Sequence, residues 1–401
     1  MTDEFIVAAC APRANHPSGT LDDAETILAA HPEVAVRDIY TRAILGDHDG
    51  VRRLLVEDAR LASVPGGAYR WDALTYLCFS RYLRLRGKDD FVRTAEALLD
   101  AGADPNTGFL EPEHQPAPTF ESALYGAAGV AHHAGLTRLL LARGADPNLG
   151  GEVGYHSPEG FDNGAMQAVV ESGRLSGEGL TTMLHRKLDW TDLGGVRWLL
   201  DHGGDPNAVS GWGDRALHHA LARDNALPLI EALLEHGADP SLTAPGHHDR
   251  SAVAVAARAG RSDALDLFRR RGFATALDGD DGFFATLADA ERDGALAFTA
   301  AEPGIIERLE AEQPGTVATL AGAGNTAAVA LALDLGFPLS AEALPAAVWR
   351  ERTDTVRLLL ARGAPVSASV LSLAERALTE MSEWTPHHSR AILDALGDAA
   401  S

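Results

Sequence analysis

Apolar residues along this chain fall in short bunches at helical spacing, and each bunch ends in the same polar phrase. Ala97-Leu98-Leu99 precedes Gly102-Ala103-Asp104-Pro105-Asn106, and Leu139-Leu140-Leu141 precedes Gly144-Ala145-Asp146-Pro147-Asn148. Trp198-Leu199-Leu200 precedes Gly203-Gly204-Asp205-Pro206-Asn207, and Ala232-Leu233-Leu234 precedes Gly237-Ala238-Asp239-Pro240-Ser241. A glycine just past an apolar helical stripe ends the helix by taking a left-handed backbone conformation. Asp-Pro-Asn is turn chemistry, with a proline that cannot continue the helix. Each phrase therefore predicts a helix end and a turn. Fainter helix ends are expected at Gly272, Gly304 and Gly336. A strong copy returns in Thr355-Val356-Arg357-Leu358-Leu359-Leu360-Ala361-Arg362-Gly363-Ala364, and Val51-Arg52-Arg53-Leu54-Leu55 reads as a first one.

A period of about 33 residues with a T-P-L-H-x-A helix start resembles the ankyrin repeat. Ala216-Leu217-His218-His219-Ala220 and Thr182-Met183-Leu184-His185 look like that start. Ser251-Ala252-Val253-Ala254-Val255-Ala256-Ala257 with Gly260, and Leu344-Pro345-Ala346-Ala347-Val348-Trp349, match further first helices. The resemblance covers residues 36 to 395. It implies an all-α, ankyrin-repeat solenoid of stacked antiparallel helix pairs, each pair burying its apolar face against its neighbours. The expected organisation is an N-terminal helical cap over 1–35, with a helix from Leu21 to Ala30 begun by Thr20. Repeats follow over 36–275. Degenerate repeats and a C-terminal cap, including Ser372 to Leu378, fill 276–401.

Two gaps break the period. Gly102 and Gly144 are 42 positions apart, and Gly144 and Gly203 are 59 apart. Inserts at 107–119 and 150–163 account for them, and both are expected as elongated finger loops. The first holds Glu111-Pro112-Glu113-His114-Gln115-Pro116-Ala117-Pro118, too rich in proline for a helix. The second holds Tyr155-His156-Ser157-Pro158-Glu159 and is followed by an extra helix, Gly164 to Glu171. Long loops on one side of a stack tend to carry function. In the family resembled, first helices and fingers line the concave side, and aromatic and arginine side chains most often anchor a partner. The candidate binding residues are therefore Tyr69, Trp71, Arg81, Tyr82, His114, Glu121, His156, Asp189, Trp190, Trp212, His219, Arg223 and Asp224. Tyr76, Tyr125 and Trp198 are read as core, whereas Trp190 and Trp212 sit in polar turns that favour exposure.

Composition narrows the function. Hydrophobic residues make up 46% of the 401, which supplies ample core, while aromatics are 6%. That bias toward Ala, Leu and Val suits helices packed closely side by side. Acidic residues number 57 against 34 basic ones, a formal net charge of −23. Such a field repels a phosphate backbone, so no nucleic-acid partner is expected. The basic cluster Arg81 to Lys88 is balanced by Asp89 and Asp90, and Arg269-Arg270-Arg271 falls at a predicted helix end, where cations suit the dipole. Cys10 and Cys78 show neither a disulfide framework nor metal-ligand spacing, which points to a reducing, cytoplasmic setting. No apolar run approaches membrane-spanning length, and the acidic Met1-Thr2-Asp3-Glu4 start is unlike a secretory signal.

Histidines number 16, with pairs at 132/133, 218/219, 247/248 and 387/388. Neighbours on a helix point about 100° apart, so a pair rarely converges on a metal, and no metal or cofactor is expected. The resemblance gives His185 and His218 a structural role, bonding backbone, and places His132 or His133 in an inter-helix turn. Gly322-Ala323-Gly324-Asn325-Thr326-Ala327 spells a dinucleotide fingerprint but lacks the preceding strand. The leading expectation is a protein–protein interaction module that binds a protein or peptide, basic or neutral, in its groove and fingers. The alternative is a small-molecule binder or enzyme whose fingers close a pocket, with His114, Glu121, His156, Asp189 and Arg223 as acid–base or anion-binding groups.

Overall fold

The Gly-Asp-Pro turns fold as their residues dictate. Gly102, Gly144, Gly203 and Gly237 hold φ of 101°, 101°, 97° and 87°. They close the helices Lys88–Asp100, Ala134–Ala142, Leu193–Asp201 and Leu227–Glu235. In each turn the aspartate carboxylate accepts the N–H two residues on: Asp104 from Asn106, Asp146 from Asn148, Asp205 from Asn207 and Asp239 from Ser241, at 2.8 to 2.9 Å. The asparagine then reaches the following turn. Asn106 Oδ1 accepts the Asp146 N–H at 2.8 Å. Asn148 Oδ1 accepts the Ser176 N–H at 2.8 Å, and its Nδ2 donates to the Arg174 carbonyl at 2.9 Å.

The computed structural model describes residues 1–11, 20–84, 88–115, 117–380 and 390–400. Pro116, residues 85–87 of the basic cluster, and His387-His388 lie outside the described residues. The chain divides into two compact units, Met1–Gly211 and Trp212–Ser401. Residue 275 falls inside the second, between the helices Ser262–Arg270 and Gly279–Ala288.

In the first unit, helices Thr2–Ala9 and Asp22–Ala30 precede the repeats, and the Asp22 N–H donates to Thr20 Oγ1 at 3.3 Å. Antiparallel pairs follow: Ile39–Leu45 with His48–Glu57, then Ala73–Cys78 with Lys88–Asp100. In the next pair, Ala123–Tyr125 runs on through a π turn, Gly126–Val130, before Ala134–Ala142. Ahead of that pair the segment 107–119 forms a finger, a β-hairpin of Gly108–Glu111 against Thr119–Ser122. Gly108 permits it, because a Cβ there would lie 2.1 Å from the Glu121 carbonyl oxygen.

The segment 150–163 takes a different form from the finger loop expected. Glu152–His156 is a short first helix, and 157–163 is its inter-helix loop. Gly164–Glu171 is then the second helix of a compressed pair, packed on Ala134–Ala142, rather than an addition. The Asn148 bonds to the 174–176 turn place that turn where a repeat turn belongs, and Gly173 there has φ of 67°. The wide spacing between Gly144 and Gly203 thus holds two repeats. The second closing phrase had diverged to Ser172-Gly173-Arg174, which lacks the Asp-Pro pair.

The second unit pairs Ala216–Ala222 with Leu227–Glu235, Ala252–Arg258 with Ser262–Arg270, and Gly279–Ala288 with Arg292–Ala301. Thr316–Ala323 with Thr326–Leu335 and Ala343–Trp349 with Thr353–Ala361 continue the series, and Ala368–Glu380 and Arg390–Ala400 end it. An additional helix, Ile305–Glu312, occupies the finger position; Gly304, expected to end a helix, is the left-handed residue that starts this one. Inter-helix turns of distant repeats meet at Asp224. Its carboxylate pairs with Arg261 at 3.2 Å, Arg350 at 2.9 Å and Arg352. Asn325 Nδ2 ties two more turns, donating to the Gly260 and Ala288 carbonyls at 2.9 and 2.7 Å.

Removing one partner from a largely buried ionic cluster leaves the others uncompensated. Asp224→Ala is expected to destabilise the second unit by about 2–3 kcal/mol. Urea denaturation followed by circular dichroism reads the loss, and an unchanged midpoint would refute the role of this cluster.

Candidate functional site

An aromatic column runs along the first helices of the first unit. Tyr40 meets Tyr76 (ring centroids 5.6 Å), Tyr76 meets Trp71 (5.2 Å), and Trp71 stacks on Phe109 of the hairpin (4.2 Å, 17°). Phe109 meets Phe79 (5.1 Å), Phe79 meets Tyr125 (5.9 Å), and Tyr125 meets His156 (5.4 Å). Pairs in this geometry add to the burial of each ring. The column welds the base of the finger to the stack and explains several candidate residues otherwise. Trp71 and Tyr82 are buried, and so is Glu121. Tyr69 stacks on Trp71, and its N–H donates to the Tyr76 hydroxyl at 2.9 Å. Arg81 Nε donates to the Cys10 carbonyl at 3.2 Å, tying the N-terminal segment to the repeats. Burial removes Trp71, Tyr82 and Glu121 from the surface a partner could touch.

Beyond the column lies a chain of alternating charges. His114, at the hairpin turn, sets Nε2 3.0 Å from Glu152 Oε1. His156 sets Nε2 3.2 Å from Glu152 Oε2 and Nδ1 3.0 Å from Glu159 Oε1. Arg186 donates to Glu159 at 2.8 Å and to Asp189 at 2.6 Å, with its guanidinium 4.3 Å over the Tyr155 ring. Burial alone would lower the pKa of His156, but the bonds from Glu152 and Glu159 outweigh it and raise the value. At Glu159 burial opposes charge, and the His156 and Arg186 bonds override it and lower the pKa. Every member satisfies a neighbour, so the geometry pins the finger tip to the next two first helices. A general acid–base pair would instead leave a face toward a substrate. The spacing of Glu152 and His156, four residues apart, fits one face of a helix; the segment was expected as a finger loop, and spacing marks neither Glu159 nor Arg186.

Close by, Lys187 is fully buried and donates to the Gly160 carbonyl at 2.7 Å and Asp192 at 3.0 Å. Asn163 Nδ2 adds a 2.8 Å bond to Asp192. This network fixes the 157–163 loop. At the loop's rim, exposed Phe161 meets the half-buried Trp190 edge-on at 6.2 Å.

The second unit has its own finger clasp. Asp214 Oδ1 lies 3.0 Å from His247 Nε2, and its Oδ2 lies 3.4 Å from His219 Nδ1. Burial would raise the Asp214 pKa, but the two histidines hold it well below the usual carboxylate range. His218 donates to the Arg250 carbonyl at 3.0 Å, and burial lowers its pKa to about 4. His185 likewise bonds backbone, the Thr181 carbonyl at 2.9 Å, and His133 caps the Ala134–Ala142 helix. Trp212 remains half exposed, with its carbonyl beside Gly246 of the next finger. Arg223 is exposed, and Asp224 serves the turn cluster. Along the first helices and finger lies an open cavity of about 650 Å³, edged by His247, His248, Arg250 and Arg258.

Of the residues proposed for an acid–base site, the structure joins His114, His156 and Asp189 in one ionic chain. Glu121 is buried in the hairpin, and Arg223 belongs to the second unit. Among the described residues, no group of three or more His, Cys, Asp or Glu side chains is placed to hold a metal ion. Cys10 and Cys78 are buried free thiols, and burial pushes both pKa values up, away from reactive thiolate. Among the described residues, no helix is long and apolar enough to cross a membrane.

Helix pairs that end in left-handed glycines and project fingers define a helical repeat protein. Residues 184–226 match the family model for ankyrin repeats in many copies. Human cyclin-dependent kinase 4 inhibitor B is 38% identical over 103 residues, which is 26% of this chain and 70% of that protein. The chain belongs to the ankyrin-repeat family. Among solved structures it is similar to the ankyrin repeat domain of human ASB11, at 19% identity and a TM-score of 0.41, covering 54% of this chain and 89% of that one. It is also similar to the ankyrin repeat domain of Bcl-3, of the IkappaB family, at 21% identity and a TM-score of 0.42, covering 54% and 92%.

The first clasp is pH-dependent with a defined sign. A histidine whose pKa is raised by folding adds stability below its unfolded value, and that stability fades as pH rises through the folded value. Wild type is expected to exceed His156→Gln in stability by roughly 1 kcal/mol more at about pH 5.5 than at about pH 8.5. Urea midpoints at the two pH values measure it; equal differences would exclude the ion pairs as the cause.

Proposed function

We propose that this protein is a protein–protein interaction module whose partner docks on the first-helix and finger surface of the second unit, around Trp212. The half-exposed Trp212 is the observation that carries this reading. Tryptophan is among the side chains that most often anchor interfaces, and this one is presented to solvent on a finger. The finger beneath it is fixed by Asp214, His219 and His247, so the ring is presented with little ordering cost. Membership of a family of interaction modules supports the same conclusion. The human relative is a kinase inhibitor by name, which is a property of that protein.

The partner is basic or neutral as a whole, since the net charge of −23 attracts such a molecule at long range and repels an acidic one. The two buried free thiols suit a reducing compartment, so the module works in the cytoplasm. Exposed Phe161, set against the half-buried Trp190, gives the first unit a second aromatic contact point for the same purpose.

Circular dichroism and thermal unfolding of Trp212→Ala first confirm that the variant keeps the wild-type fold. The substitution is expected to weaken partner binding by about 2 kcal/mol, roughly thirtyfold in Kd. Affinity capture from the native host with wild type and the variant, quantified by mass spectrometry, tests it. A specific protein retained by wild type and lost from the variant is the expected result. No stable protein partner, together with a metabolite retained by the purified chain, would overturn it in favour of the small-molecule alternative.

A further inference from the structure

The cavity of the second unit gathers two arginines and two histidines in a chain whose net charge is −23. Its rim carries His247 and His248 from the finger and Arg250 and Arg258 from the finger base and first helix. Its apolar lining comes from Val255 of the first helix and Leu309 of the additional helix Ile305–Glu312, beside Gln313 and Thr319. The carboxylates that line the cavity or touch its arginines are already paired, while Asp249 at the finger tip is exposed to solvent. Asp281 faces Arg258 Nε and also lies 3.5 Å from Arg250 Nε. Glu312 accepts from Arg308 at 3.3 Å.

The cations, in contrast, keep spare donors. Arg250 uses Nε toward Asp281, and its terminal nitrogens bond no described residue. Arg258 spends Nε on Asp281 and Nη1 on Gln313 at 3.1 Å, with its plane 4.5 Å over Phe284, which locks its orientation. Exposed His248 sits at the finger tip with φ of 55°, beside Asp249 at the same φ. This two-residue left-handed turn projects the imidazole at the cavity mouth.

We propose that this cavity is a carboxylate-recognition site that seats an acidic segment of the partner. A guanidinium with free terminal N–H groups matches a carboxylate in geometry and charge. Val255 and Leu309 suit the methylene stem of a glutamate. About 650 Å³ holds two or three residues of an extended peptide, within the range of ordinary binding sites. A polyanion is excluded by the surrounding field of −23, whereas one or two carboxylates at contact distance feel mainly the local cations. The partner is thus neutral or basic as a whole and acidic at the point of contact. This assignment rests on the interaction reading above.

The test uses the full chain and a display library of random dodecapeptides with amidated C-termini. The pool recovered by wild type is expected to be enriched in Glu and Asp over the input. Arg250→Gln should remove the enrichment and weaken individual selected peptides about tenfold or more, while Arg250→Lys restores part of it. His248→Asn, which tolerates the left-handed backbone, should reduce the enrichment by a smaller factor. Repeating the selection with free C-termini distinguishes a side-chain carboxylate from a terminal one. Enrichment that survives Arg250→Gln, in a variant whose thermal unfolding matches wild type, overturns the site. A recovered pool without acidic bias also overturns it and leaves the interaction reading standing. Recovery of no peptide above background overturns both.

Discussion

The bond that passes from one turn's asparagine to the next turn's backbone organises the repeats of the first unit. Asn106 and Asn148 each satisfy groups that the following turn would otherwise leave to water. Because the donor and acceptor belong to consecutive turns, the bond fixes the rise and rotation of one helix pair on another. The left-handed glycine makes this geometry accessible, since a Cβ in that conformation is strained whatever the space around it. Packing between small apolar faces then follows, and stability accumulates pair by pair.

Polar material has been sorted by that scaffold into distinct tasks. Finger histidines meet carboxylates of a neighbouring element in both units, His114 on Glu152 and His247 on Asp214. These clasps hold protruding segments that bury too little apolar surface to hold themselves. The buried Lys187 does the same for an inter-helix loop. What is left for recognition is therefore rigid: Trp212 on a fixed finger, and arginines whose orientation is set by Asp281 and Phe284.

The repeat fold was legible in the sequence because its turns need particular residues. Glycine, aspartate and proline leave a mark wherever the left-handed turn recurs. The compressed pair from Glu152 to Glu171 was misread as a finger loop and a stray helix because its closing phrase, Ser172-Gly173-Arg174, lacks the Asp-Pro signature. The site was less legible. Trp212 stood out by its polar neighbours, and its exposure follows from them. Trp71 and Tyr82 carry equally aromatic signals yet lie inside, since a column of rings is specified by contacts between repeats that no local window displays. The convergence of Arg261, Arg350 and Arg352 on Asp224 left no local trace at all.

That convergence alters how the second unit must assemble. A linear array of repeats can nucleate anywhere and zip outward, because each contact joins segments close in the chain. The bond between Asp224 and Arg352 spans 128 residues. Closing a loop of that length is a late and entropically costly event, so the unit gains a kinetic barrier that its local helices lack. The repeats between Asp224 and Arg352 are thereby tied to one another beyond their nearest neighbours.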